Sequence, residues 1–82
     1  MLNINLKITQ PSGVIIDQEV TSVLLPGVNG MIEVMYGYEA LIIELGVGLI
    51  TFAHKAISIK SGFAMINKSS CHIIINVNCI TN

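Results

Sequence analysis

Charge is scarce in this sequence: four Lys and Arg and five Asp and Glu make up 11% of its 82 residues, for a formal net charge of -1. No basic stripe or Arg cluster is present to neutralise a row of phosphates, which argues against nucleic-acid binding. A long uninterrupted apolar run is also missing. The stretch 40–53 is the longest, but Glu44, Gly46 and Gly48 break it, whereas a spanning helix needs roughly 20 consecutive apolar residues. Direct membrane insertion is not expected. The opening Met1-Leu2-Asn3-Ile4-Asn5 has neither the basic start nor the apolar block of a secretion signal, so no export is expected.

Cysteine and histidine are as sparse as charge. Cys71 and Cys79 lie eight residues apart, and within one extended strand that separation is about 26 Å, far beyond the reach of a disulfide. Reduced thiols are the simpler reading. His54 falls at a predicted hairpin tip, and His72 with Cys71 and Cys79 lacks the four ligands and paired spacings of structural zinc. No metal site is expected, and Asp17, Glu19, Glu33, Glu39 and Glu44 fall near turns and strand ends as solvated carboxylates. Gly27 and Gly30 are followed by neither a helix start nor Lys-Ser/Thr, so they read as turn glycines and not as a phosphate cradle. No catalytic residue and no cofactor are assigned.

What the chain has in abundance is apolar side chain, 52% of its residues. A domain of this size buries only about 60% of its unfolded surface, so some of that material must face outward, where contiguous apolar area marks a docking face. One domain spans residues 1–82.

Its local pattern is that of short strands. Leu2, Ile4, Leu6 and Ile8 alternate with polar residues, as in a half-buried strand. The turn 10–13 precedes a β-branched run at 14–16, Asp17-Gln18 reads as a polar break, and a strand over 20–25 stops at Pro26-Gly27. Further strands are predicted at 32–35, 41–43, 49–53, 57–60, 63–66 and 73–75, with a hairpin tip at His54-Lys55 and a last loop at 67–70. Every window of helical length contains Gly, Pro or a β-branched run, so the predicted class is an all-β sandwich or flattened barrel.

The order of these motifs resembles the N-terminal domain of F-type ATP synthase epsilon subunits, called delta in mitochondria. The family's Pro-x-Gly-Val turn leading to Asp is matched by Pro11-Ser12-Gly13-Val14-Ile15-Ile16-Asp17. Its Leu-Pro-Gly-x-x-Gly turn is matched by Leu25 to Gly30, with Val34, Gly37 and Leu41 keeping the spacing that follows. Leu45-Gly46-Val47-Gly48 resembles its Leu-x-x-Gly turn, and Lys60-Ser61-Gly62-Phe63 its Ser-Gly-Gly-Phe strand start, with Ser61 in place of the first Gly of the pair. Tyr36, Tyr38 and Ala40 stand where the family often has Pro, His and Pro, and Met31 where an acidic residue is common.

The resemblance implies about ten strands in two sheets. It also implies a non-catalytic rotor subunit of the central stalk, at the cytoplasmic face of the bacterial inner membrane, linking the gamma subunit to the c-ring. The ring-facing loops it implies are Gly27, Val28, Asn29, Gly30 and Met31 together with Tyr36, Gly37, Tyr38 and Glu39. Family members continue into a helical hairpin that inhibits ATP hydrolysis, to which nothing in these 82 residues corresponds. A single-domain subunit, a truncation and a fragment all remain open. The alternative function is a sandwich-type interaction module outside the ATP synthase.

Overall fold

The computed structural model describes residues 2–76. Within them the chain forms nine strands: β1 (Ile4–Gln10), β2 (Gly13–Val20), β3 (Ser22–Gly27), β4 (Gly30–Met35), β5 (Leu41–Leu45), β6 (Gly48–Phe52), β7 (Lys55–Ile59), β8 (Gly62–Asn67) and β9 (Ser70–Ile75). They hydrogen-bond in the order β2-β1-β9-β8-β5-β3-β6-β7, with β4 on the other edge of β3. All pairs are antiparallel except β1 and β9, which run parallel, with Leu6 opposite Cys71 and Ile8 opposite Ile73.

This ladder folds over on itself at one thin joint. The chain from β5 into β6 runs antiparallel to β3 but pairs with it only at Gly27 with Leu45 and at Leu24 with Thr51. On either side of the joint lie a five-stranded layer, β2-β1-β9-β8-β5, and a four-stranded layer, β4-β3-β6-β7. Alternate residues of both layers enter a single core. Ile4, Leu6, Ile8, Ala64, Cys71, Ile73 and Ile75 come from the first layer, and Val23, Leu25, Val34, Ile50 and Ile59 from the second. The all-β sandwich read from the sequence is therefore the observed class. The expected ten strands in two separate sheets become nine among the described residues, continuous through the Gly27–Leu45 pair.

Two local readings shift. β2 does not break at Asp17-Gln18; it runs on to Val20, because its outer edge is open and polar side chains there are solvated without leaving the strand. Asn5 Nδ2 donates to Asp17 Oδ1 across the pair at 3.4 Å. The β6–β7 turn is Ala53-His54 and not His54-Lys55, since Phe52 pairs with Lys55 and both turn residues take the left-handed φ that a two-residue hairpin favours. The β8–β9 turn is closed by Asn67, whose Oδ1 accepts from the N–H groups of Ser69 and Ser70 at 3.1 and 3.0 Å.

Candidate functional site

The β3–β4 turn is built by its glycines. Gly27 pairs with Gly30 around the two-residue loop Val28-Asn29, and a Cβ on Gly27 would lie 2.7 Å from the Gly30 carbonyl oxygen. Gly30 has φ +131, a conformation open to glycine and resisted by other residues. Pro26 has no N–H to offer, but its carbonyl accepts the Gly46 N–H at 2.8 Å, while the Val28 N–H donates to the Glu44 carbonyl at 3.0 Å. The β3–β4 turn is thereby clamped to the end of β5.

Residues 27–32 and 42–44 enclose a cleft of about 310 Å³ beside this clamp. Its walls are mainly apolar, with Met31 and Ile42 58% and 68% exposed, and Glu44 contributes the single carboxylate. Val28 is half exposed, and Val47, 83% exposed, sits on the neighbouring β5–β6 turn. Apolar residues at two turn tips are the outward apolar area that the composition requires.

The loop residues expected to act together are not brought together. Gly27, Val28, Asn29, Gly30 and Met31 lie at the β5–β6 end of the molecule. Tyr36, Gly37, Tyr38 and Glu39 follow the far end of β4, about 17 Å away along a strand of six residues. There the Gly37 N–H donates to the Lys68 carbonyl at 2.8 Å, and the Lys68 ammonium sits 5.6 Å from the centre of the Tyr36 ring. Tyr36 and Tyr38 are half-buried against the core. Tyr38 is thus partly buried, and the side of its ring against the core gains what an aromatic surface loses in water.

Ile42, Ile43 and Glu44 complete the cleft, and in the sequence they read only as a short strand over 41–43 and a solvated carboxylate. They lie in an apolar run that reads as core, and only the strand order leaves the outer edge of β5 open. A further apolar patch of Ile42, Phe63, Met65 and Ile74 covers the outer face of β5, β8 and β9.

The remaining candidates for chemistry are dispersed. His54 is exposed on its turn, and His72 lies on the central strand β9 with Nε2 3.0 Å from Thr9 Oγ1. Cys71 is fully buried, and burial pushes its thiol pKa up to about 12. Cys79 lies outside the described residues. Among the described residues no group of three His, Cys, Asp or Glu is placed to hold a metal ion, and no helix is long and apolar enough to cross a membrane.

Residues 3–78 match the family model for the β-sandwich domain of the ATP synthase delta/epsilon chain. The chain belongs to this family. It is 36% identical over 76 residues to the ATP synthase epsilon chain of Campylobacter jejuni strain 81-176, covering 87% of this chain and 59% of that one. It is 27% identical over 81 residues to the epsilon chain of Campylobacter fetus, covering 93% and 63%. This member of the delta/epsilon family thus spans about three fifths of the length of the curated relatives it matches. Its fold is shared with a chain of the Euglena gracilis mitochondrial ATP synthase structure containing OSCP, F1 and the c-ring, at TM-score 0.79 and 23% identity. That match covers 99% of this chain and 54% of the other. A chain in the Tetrahymena thermophila mitochondrial central stalk and c-ring structure matches at TM-score 0.76 and 8% identity, covering 89% and 63%.

Proposed function

We propose that this delta/epsilon sandwich is a non-catalytic rotor part of an F-type ATP synthase. In this reading it joins the gamma subunit to the c-ring and turns with them, so that proton flow drives synthesis in another subunit. It works as a peripheral element of the complex at the cytoplasmic face of the bacterial inner membrane. Family membership supports the assembly, and the exposed apolar cleft end supports the docking.

The ring contact is assigned to the end bearing Gly27 to Met31, where Val28, Met31 and Val47 are exposed around the cleft. Tyr36 to Glu39 lie at the opposite end with their tyrosines packed inward, and a single ring surface would have to run the length of β4 to reach both. With Met31 where relatives often carry acid, this contact rests on apolar area and depends weakly on salt.

The test is co-expression of the tagged chain with the gamma and c subunits of the same organism, followed by affinity capture. Gamma and the ring are expected to co-purify, and Val28→Asp with Met31→Asp should release the ring while keeping gamma. Capture of neither subunit by the folded chain would overturn the reading.

A further inference from the structure

The free edge of β4 carries a pattern that fits one kind of partner. Pro26 and Val28 direct their backbone groups to β5, so Val23, Leu25 and Gly27 face β4, where their partners are Val34, Ile32 and Gly30. Strand residues alternate, so the backbone N–H groups of Met31, Glu33 and Met35 point outward, away from β3. Among the described residues β4 pairs with β3 alone. The same three side chains lie on the exposed face, reading apolar, acidic, apolar.

The other free edges are blunted more heavily than β4, which carries the one charge of Glu33. β2 carries Asp17 and Glu19, and its ladder with β1 is interrupted at Ile8/Thr9. β7 begins at Lys55 and is followed by Lys60, and the end of β5 is covered by the β3–β4 turn. β4 has an unbroken six-pair register, no proline, no lysine and no bulge. Open strand edges of this kind recruit another strand unless something prevents it. Antiparallel self-pairing centred on the strand would set Glu33 against Glu33 of a second copy, and like charges directly opposite oppose pairing. The single carboxylate thus disfavours a second copy and favours a basic partner.

We propose that β4 accepts an added antiparallel strand from a different protein, an extended segment with an apolar, basic, apolar alternation that sets Lys or Arg opposite Glu33 and apolar residues opposite Met31 and Met35. This docking goes beyond the rotor reading and does not rest on it: Glu33 and Met35 lie outside the cleft end, and Met31 alone belongs to both surfaces.

The probe is the capped peptide Thr-Val-Thr-Lys-Thr-Val-Thr, titrated into the isotopically labelled chain and followed by amide chemical shifts. Shifts are expected along β4 and its partner β3. Exchanging the peptide Lys for Glu should weaken binding about five- to ten-fold, from the swing between opposite and like cross-strand charges. Glu33→Lys should invert that order and Glu33→Gln should flatten it. N-methylation of the Val, Lys and Val amides, which face β4, should abolish binding, whereas N-methylation of the inner Thr amides should leave it within about twofold, because the added strand donates from one side only. Equal binding of the two methylated peptides, shifts centred elsewhere, no saturable binding, or indifference to Glu33→Lys would each overturn the proposal. So would a concentration-dependent dimer of the free chain formed through β4, which would make a second copy the occupant.

Discussion

Gly62 sits against the backbone carbonyl oxygen of Ile74, so closely that a Cβ at position 62 would collide with it. Gly62 is buried at the start of β8, opposite Ile75, and the atom in the way belongs to the backbone of a central strand that has no room to retreat. Gly62→Ala should therefore lower stability by about 3 kcal/mol, a large share of what a small domain has. Gly46→Ala is the control, because its Cβ would meet Val28 Cγ1 at an ordinary 3.5 Å. That variant should be neutral or up to about 1 kcal/mol more stable. Urea unfolding of both measures the contrast, and equal losses would mean the β8–β9 approach is looser than described.

Cys71 predicts an alkaline instability. Burial holds its thiol neutral up to about pH 12, from an ordinary value of 9.0. Between these two values the unfolded chain has lost the proton and the folded chain keeps it, so stability falls as pH rises, by at most about 1.4 kcal/mol per pH unit. The contribution is fully present below about pH 9. Cys71→Val should remove this component, as measured by melting temperatures of both proteins from pH 8 to 11. Identical slopes would show that the thiol does not contribute.

Met31 and Tyr38 should separate on truncation. Met31→Ser removes an exposed side chain and should leave the melting temperature within a few degrees of the parent, because little apolar contact is lost. Tyr38→Ser strips a ring packed against the core and should cost about 2 kcal/mol. Thermal melts of the two single variants decide it, and a neutral Tyr38→Ser would return that ring to the surface.

The Ala53-His54 turn holds two non-glycine residues at φ 46 and 64. Left-handed backbone costs an L-residue roughly 1 kcal/mol, and Asn-Gly is the pair that two-residue hairpins prefer. Ala53→Asn with His54→Gly should raise stability by about 1 kcal/mol, visible as a higher urea midpoint with an unchanged slope. A lower midpoint would mean that the native side chains make contacts worth more than the strain.

Local alternation carried most of the fold. Ile4, Leu6 and Ile8 announce which face of β1 is inside because the strand period of two is written in adjacent residues, and all three are fully buried. Leu6→Asp should accordingly prevent folding, while Lys7→Asp on the opposite face should not, a comparison readable by circular dichroism. The turns at Gln10 to Gly13 and at Asn67 to Ser70 were legible for the same reason: their chemistry is complete within four residues.

An all-β domain of short strands, its buried stripe, its turn glycines and an excess of apolar side chain are thus readable along the chain. Where the exposed apolar surface lies depends on contacts between segments distant in sequence. β1 meets β9 across more than sixty residues of chain, and β5 folds over to touch β3 at Gly27, contacts between segments whose own sequences carry no mark of each other. Those pairings put Ile42 to Glu44 beside Gly27 to Met31, sent Tyr36 to Glu39 to the other end, and left the Met31-Glu33-Met35 edge open. Side-chain alternation is a nearest-neighbour property, whereas strand order is set by the packing of the whole core, and an interaction surface is assembled from strand order.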